Sequence, residues 1–158
     1  MKKVGSARAP TARPVNVRPL LYVEDNDDNW HVAELRLGTR FELVRACGDM
    51  QACQLVRERG AEFVAILMDI ELQGSLLNGI DLTRLTRGYP LERTLPACAQ
   101  GLPTLDAPII FMTAYGDVHS EAALLAAGGS RVMTKPIDFK ELNMALMKFY
   151  VNRSGTHT

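Results

Sequence analysis

The sequence has few cysteines, no excess of charge of either sign and no hydrophobic run long enough to cross a membrane. Its three cysteines, Cys47, Cys53 and Cys98, are odd in number and form no C-x-x-C pair, which argues against a disulfide framework. Lys plus Arg and Asp plus Glu both number 18, so no overall charge attracts nucleic acid or anionic lipid. No signal peptide is evident. These absences predict a cytoplasmic protein that contacts neither nucleic acid nor membrane.

The length and composition of the chain are those of one globular domain, with 158 residues of which 47% are hydrophobic and 23% charged. The first residues contain prolines and basic side chains but no acidic ones, which predicts a flexible basic segment over residues 1–18. We expect the folded domain over residues 19–151 and a short tail over residues 152–158. No effector domain is expected after Tyr150.

Hydrophobic runs that lack polar alternation predict strands buried on both faces. They cover residues 20–23, 63–68, 109–112 and, more weakly, 132–133. The segment 41–46 contains Glu42 and Arg45 and predicts a more polar strand at the edge of a sheet. Five strands with the less apolar ones second and fifth fit an α/β fold, a doubly wound parallel sheet of order 2-1-3-4-5.

Helical patterns alternate with these strands, as expected of βαβ units. The first helix is expected to follow an N-cap at Asp28 or Asp27, with Val32 and Leu35 facing the core. The remaining helices are predicted at about 49–59, at about 81–86, after a cap at Asp117 and after a cap at Asp138. The segment 88–107 contains several prolines and glycines, which predicts a long loop of a functional or mobile kind.

Four polar fragments follow these hydrophobic runs, so a parallel sheet gathers them at one edge. They are Glu24-Asp25, Asp69, Thr113 and Lys135-Pro136. Three neighbouring carboxylates repel one another unless a cation lies among them, and oxygen ligands of this kind suit Mg²⁺. We expect Asp25 and Asp69 to bind the ion directly and Glu24 to bind it through water.

The same fragments have the chemistry of phosphoryl transfer. Asp69 can act as a nucleophile toward a phosphoryl group. Lys135 and the Thr113 hydroxyl supply the positive charge and the hydrogen-bond donor that the phosphoryl oxygens need. Small Ala114 leaves the backbone N–H after Thr113 open to an anion, and Pro136 is a candidate for a cis peptide bond.

In this order the motifs resemble those of the response regulator receiver domains of two-component signalling, of the kind found in chemotaxis regulators. The matching pieces are V-E-D-N-D-D-N at 23–29, L-M-D-I at 67–70, P-I-I-F-M-T-A at 108–114 and T-K-P at 134–136. The resemblance implies a flavodoxin-like receiver fold and a phosphoacceptor, Asp69, that takes phosphate from a histidine kinase or a histidine phosphotransfer protein. It also implies a downstream protein target, with the chain a monomer or weak homodimer.

The resemblance further implies roles for residues around Asp69. Glu71 offers its backbone carbonyl to Mg²⁺, and the side chains of Glu71 and Tyr115 border the route of attacking water. Thr113 moves toward the phosphoryl group together with an aromatic residue three positions before the lysine, where this chain has Val132. That aromatic switch position is therefore lost. The family is not enzymatic beyond self-phosphorylation from small phosphodonors and autodephosphorylation.

Two other functional classes compete with a phosphoacceptor. The first is an interaction scaffold that keeps the fold without phosphorylation, for which Val132 is the supporting feature. The second is an enzyme, either a flavin-binding protein or an aspartate-nucleophile phosphatase. The flavin alternative lacks a phosphate-binding loop after the first strand, and the phosphatase alternative lacks a second aspartate where Glu71 stands.

Overall fold

A five-stranded parallel sheet forms the centre of the computed structural model, which describes residues 19–114 and 118–154. The strands are β1 (Pro19–Val23), β2 (Glu42–Ala46), β3 (Ala65–Asp69), β4 (Ile109–Thr113) and β5 (Arg131–Thr134). Their order is β2-β1-β3-β4-β5, which confirms the predicted doubly wound topology with the more polar β2 at an edge. The predicted basic segment 1–18 lies outside the described residues.

Five helices cover the two faces of the sheet. They are α1 (Asp27–Leu37), α2 (Asp49–Arg59), α3 (Gly79–Thr86), α4 (Glu121–Ala126) and α5 (Phe139–Ser154), with short 3-10 helices at Gly60–Glu62 and Ala97–Ala99. Helix α5 continues past residue 151, where the domain was predicted to end. None of the helices in the described part of the chain is both long and apolar enough to span a membrane.

Each face of the sheet has its own hydrophobic core because successive residues of a strand point to opposite sides. In β1, Leu21 and Val23 belong to the core shared with α2, α3 and α4, whereas Leu20 and Tyr22 belong to the core shared with α1 and α5. Every residue of β1, β3 and β4 is buried. Each continuous hydrophobic run therefore contributes side chains to both cores, as predicted for strands buried on both faces.

The orientation predicted for α1 was wrong. Ala33 and Leu37 are buried, whereas Val32 is 47% exposed and Leu35 is 80% exposed. The helix is capped by Asn26, whose side chain accepts a hydrogen bond from the backbone N–H of Asn29, and not by either aspartate. Because Ala33 and Leu37 are four residues apart, they lie one above the other on the inward face.

The starts of three other helices bear on the predictions. Helix α3 begins at Gly79, before the predicted start, because Asn78 and Asp81 form a reciprocal capping box. Helix α4 is capped by Ser120, and the predicted cap Asp117 lies outside the described residues. The Asp138 side chain accepts hydrogen bonds from the first turn of α5, as predicted.

The segment 88–107, which we call the insertion, is packed against the domain. Leu105 is buried in the core below α2 and α3, and further leucines pack against the same core: Leu91, Leu95 and Leu102. The Arg57 side chain of α2 donates hydrogen bonds to three carbonyls of the insertion, those of Cys98, Gln100 and Gly101. The loop that was predicted as functional or mobile is therefore anchored by apolar and polar contacts along its length.

Candidate functional site

Three carboxylates meet at the C-terminal edge of the sheet. Glu24 and Asp25 follow β1, and Asp69 ends the neighbouring strand β3. One oxygen from each of the three lies within 4.8 Å of the others. Glu24 is fully buried and Asp69 is 8% exposed, so water does little to screen their charges. The doubly wound topology thus concentrates negative charge where the strand order reverses.

Lys135 supplies the positive charge at this edge. Its ammonium nitrogen lies 3.2 Å from Asp69 Oδ2 and 3.6 Å from Glu24 Oε2. The residue follows β5, its backbone N–H donates to the Thr113 carbonyl, and the Lys135–Pro136 peptide bond is cis. The side chain therefore reaches across β4 to the carboxylates at the centre of the sheet.

The environment of Asp69 disfavours its ionised form. Burial, reinforced by the charge of Glu24, raises the pKa of Asp69 from 3.8 to about 6. Lys135 and the backbone N–H of Ile70, which donates to Asp69 Oδ1, act in the opposite direction. A carboxylate held in this way gains from any further positive charge that enters the cluster.

Thr113 and Ala114 complete the edge beside Lys135. Thr113 is buried at the end of β4, and its hydroxyl donates to the Met133 carbonyl of β5 over 3.4 Å. Ala114 is exposed immediately after it. The Thr113 hydroxyl thus makes a long, weak hydrogen bond to β5. It can exchange this bond for one to a better acceptor.

Proteins with similar sequences include a hybrid signal transduction histidine kinase and a sensor protein, although no model of a known protein family matches the chain. The sequence is 30% identical over 135 residues to hybrid signal transduction histidine kinase M of Dictyostelium discoideum, covering 85% of this chain and 5% of that protein. It is 26% identical over 147 residues to sensor protein GacS of Pseudomonas syringae pv. syringae, covering 91% of this chain and 15% of that protein. The chain spans a small fraction of both relatives.

Two of the solved structures that share this fold match over nearly their whole length. The receiver domain of sensor histidine kinase PA1611 from Pseudomonas aeruginosa, which has a magnesium ion in its active-site cleft, is 26% identical with a TM-score of 0.64. A protein of Chloroflexus aurantiacus assigned as a response regulator is 28% identical with a TM-score of 0.65. Each alignment covers 84% of this chain and 97% of the other. This chain has the receiver-domain fold.

The oxygen donors at the carboxylate edge fit a hard cation. Glu24 Oε1 accepts hydrogen bonds from the Asn26 backbone and the Asn29 amide. Its other oxygen accepts from the Tyr22 hydroxyl and faces Lys135. A carboxylate has about four acceptor positions, so three hydrogen bonds and the nearby Lys135 ammonium leave Glu24 little capacity for direct coordination. Asp25 and Asp69 have freer oxygens to offer a metal ion, with Glu24 behind them.

Tyr22 and Asn29 are contributors to the receiver site that the sequence analysis missed. The Tyr22 hydroxyl lies 3.0 Å from Glu24 Oε2 inside the domain, and burial together with the charge of Glu24 raises the pKa of Tyr22. Tyr22 precedes Glu24 by two residues on a strand, so the two side chains point to the same face of the sheet. That spacing was the available signal.

The loop after β3 also contacts the site. The Gln73 backbone N–H donates to Asp25 Oδ2 over 2.9 Å. The loop is held by Asp49, which begins α2 and whose Oδ2 accepts from the backbone N–H groups of Leu76 and Leu77. In return, Ser75 Oγ accepts from the Asp49 N–H. The segment 73–78 is therefore hydrogen-bonded both to Asp25 after β1 and to Asp49 of α2.

Two of the predicted site residues lie apart from the carboxylate cluster. The Glu71 side chain is exposed and is not one of the three clustered acids, so its predicted contribution remains its backbone carbonyl. Val132 is partly buried in β5, where it packs against the core beside its register partner Phe111. Tyr115, the other candidate near the phosphoryl position, lies outside the described residues.

Proposed function

We propose that this receiver domain accepts a phosphoryl group on Asp69 in the presence of Mg²⁺ and signals through protein contacts. The observation that carries the proposal is the buried Asp69 carboxylate, which has a lysine ammonium 3.2 Å away on one side and a second and third carboxylate within 4.8 Å. This arrangement combines a nucleophile, a cation-binding oxygen set and a fixed positive charge.

In the proposed reaction, a carboxylate oxygen of Asp69 attacks the phosphorus of a phosphohistidine. The new P–O bond forms as the P–N bond breaks, and the histidine nitrogen leaves with the bonding electron pair. Bound Mg²⁺ would supply charge neutralisation for the phosphoryl oxygens through Asp25 and Asp69. Lys135 offers a second positive charge to those oxygens, and the Thr113 hydroxyl exchanges the Met133 carbonyl for one of them.

The phosphoryl donor is proposed to be a histidine kinase or a histidine phosphotransfer protein in the cytoplasm, and the output a downstream protein. Support comes from the matched relatives, which are a histidine kinase and a sensor protein. The exposed apolar residues Val32 and Leu35 of α1 extend from the carboxylate edge and offer a contact surface to such a donor.

Intact mass after treatment with acetyl phosphate and Mg²⁺ tests the proposal. The wild type is expected to gain the mass of one phosphoryl group, and Asp69→Asn is expected to gain none. Asp28→Asn is a matched control because Asp28 is an exposed acid at the start of α1. Trp30, whose ring lies 6.2 Å from that of Tyr22, provides an independent fluorescence signal for Mg²⁺ binding. A wild type that gains no phosphoryl mass, with unchanged Trp30 fluorescence, would favour the phosphorylation-independent scaffold.

A further inference from the structure

Two thiols of different elements meet in the core beneath the insertion. Cys53 lies on α2 and is 1% exposed, and Cys98 lies in the 3-10 helix Ala97–Ala99 of the insertion, where it is partly exposed and packs against the same core. Helix α2 and this 3-10 helix pack directly against each other, and Cys98 is close enough to Cys53 to contribute to the raised pKa of its thiol. Both are free thiols.

Backbone contacts hold the two segments in this register. Arg57 follows Cys53 by one helical turn and lies on the same side of α2. Its guanidinium donates to the Cys98 carbonyl over 2.6 Å and to the Gln100 carbonyl over 2.7 Å. The position of Cys98 relative to α2 is therefore fixed by polar contacts as well as by packing. A disulfide requires the two Cα atoms to lie within about 7 Å of each other, and the direct packing of α2 against the 3-10 helix favours that condition.

We propose that Cys53 and Cys98 form a reversible disulfide when the protein meets a peroxide, which makes this pair a redox modification site. The site lies apart from the carboxylate edge and does not depend on the proposed phosphorylation. Oxidation would join the insertion covalently to α2 and prevent it from separating from the domain.

The two thiols differ in burial, and this difference determines which of them reacts first. Burial, with the neighbouring Cys98 and Asp49, raises the pKa of Cys53 to about 12, so this thiol stays protonated. Partly exposed Cys98 is the group that an oxidant reaches first. Its thiolate attacks one peroxide oxygen, the O–O bond breaks and hydroxide leaves, which produces a sulfenic acid on Cys98.

Cys53 then resolves the sulfenic acid. The Cys53 sulfur attacks the Cys98 sulfur, the S–S bond forms as the S–O bond breaks, and the Cys53 proton leaves with hydroxide as water. In sum two thiols are oxidised and one hydrogen peroxide is reduced to two waters. A dithiol reductant reverses the reaction.

The test uses the full chain with Cys47→Ser, because Cys47 is exposed and could otherwise link two molecules. After hydrogen peroxide, we expect the intact mass to fall by two hydrogens, no thiol to react with maleimide after unfolding, and a proteolytic peptide to join Cys53 to Cys98. Because a disulfide restricts the unfolded chain, Tm should rise by about 5 °C or more and return to its starting value with dithiothreitol.

A second variant distinguishes the Cys53–Cys98 disulfide from oxidation of single cysteines. Adding Cys98→Ser should abolish the loss of two hydrogens and the rise in Tm, while the fold is retained because Cys98 is partly exposed. The proposal would be overturned if peroxide left both thiols reactive, or if it converted Cys98 to sulfinic or sulfonic acid with Cys53 still free.

Discussion

Asp69 is kept at a cost to the stability of the domain. Its pKa is about 6 in the folded chain against an ordinary value of 3.8, so the folded state resists its ionisation. The penalty is present above about pH 6, shrinks as the pH falls through that value and is absent below the ordinary pKa, where the carboxyl is protonated in both states. A lower free energy of unfolding is expected where the chemistry of a site requires a buried, ionised carboxylate.

Asp69→Asn is therefore expected to raise the free energy of unfolding at about pH 8 without metal, by about 1–3 kcal/mol. The amide keeps an acceptor for the Ile70 N–H, and Lys135 keeps Glu24 as a partner. Urea denaturation in EDTA measures the gain, which should vanish at about pH 4. Asp28→Asn serves as the exposed control. A less stable Asp69→Asn at about pH 8 would contradict the sign of this penalty.

Tyr22 and Lys135 share one carboxylate oxygen of Glu24. The Tyr22 hydroxyl and the lysine ammonium both face Glu24 Oε2, at 3.0 Å and 3.6 Å. With Tyr22→Phe that buried oxygen loses a donor, so we expect destabilisation of about 1–2 kcal/mol. The lysine should also shift toward Glu24, which should slow phosphorylation by acetyl phosphate.

Urea denaturation and the rate of mass gain measure the two effects of Tyr22→Phe. Tyr89→Phe is the control, because Tyr89 is 45% exposed and removal of its hydroxyl leaves the carboxylate edge unchanged. Equal stability and equal rates for the Tyr22 and Tyr89 variants would show that the hydroxyl does not hold Glu24.

At the scale of the elements, strands were easier to predict than the faces of helices. Runs such as 63–68 have no polar side to choose, so their burial follows from composition alone. Helix α1 offers apolar residues around its circumference, and Val32 and Leu35 were assigned inward although Ala33 and Leu37 are the buried pair. The choice depends on where the cap places the first turn, and Asn26, Asp27 and Asp28 are all acceptable caps.

The insertion was beyond prediction for a related reason. Its sequence lacks a helical or strand period, yet it is fixed by side chains that belong to other elements. Arg57 of α2 and Arg87 after α3 donate to its carbonyls, with Arg87 Nη1 lying 2.6 Å from the Leu105 carbonyl. Such contacts supply hydrogen-bond donors to the carbonyls of an irregular segment and leave no periodic pattern in its sequence. Only the three-dimensional placement of the arginines identifies them.

Asp49 holds the loop after β3 through side-chain hydrogen bonds to its backbone, as Arg57 holds the insertion. Its carboxylate accepts backbone hydrogen bonds from Met50, Leu76 and Leu77 and is 6% exposed. In Asp49→Asn the NH₂ group can replace one of the two carboxylate oxygens and would then face backbone donors. We expect a loss of about 1–3 kcal/mol in the free energy of unfolding.

Hydrogen exchange measures the local part of this effect. The amides of Leu76 and Leu77 should lose protection in Asp49→Asn, while those of β4 should change only with global stability. Glu58→Gln is the matched control, since the exposed Glu58 side chain accepts a hydrogen bond from Gln54 on the surface of α2. Unchanged exchange at Leu76 and Leu77 would mean that Asp49 does not hold the loop.

At the scale of the whole molecule, the site is a product of strand order. Glu24, Asp69 and Lys135 are far apart in sequence, and parallel strands bring their ends to one edge. The gathering of acids, hydroxyl and lysine was therefore predictable from the order of the hydrophobic runs in the sequence. The hydrogen bonds to Glu24 were not, because they depend on distances of a few tenths of an ångström.

Because the acids come from separate strands, Mg²⁺ binding should stabilise the domain as a unit. The ligand carboxylates must be ionised to bind the metal, and the pKa of Asp69 is about 6. At about 100-fold excess over Kd the gain would be about 2.7 kcal/mol at about pH 8, and it should be much smaller at about pH 5, where Asp69 is mostly protonated. Thermal unfolding with and without Mg²⁺ measures the shift in Tm.

Asp25→Asn and Asp28→Asn separate site binding from general salt effects on Tm. Asp25 belongs to the clustered acids and Asp28 does not, although both lie near the start of α1. The Mg²⁺ shift should disappear in Asp25→Asn and persist in Asp28→Asn, because only the first removes a proposed ligand. If Mg²⁺ raised the Tm of both variants equally, or raised that of the wild type as strongly at about pH 5 as at about pH 8, the ion would be acting elsewhere on the molecule.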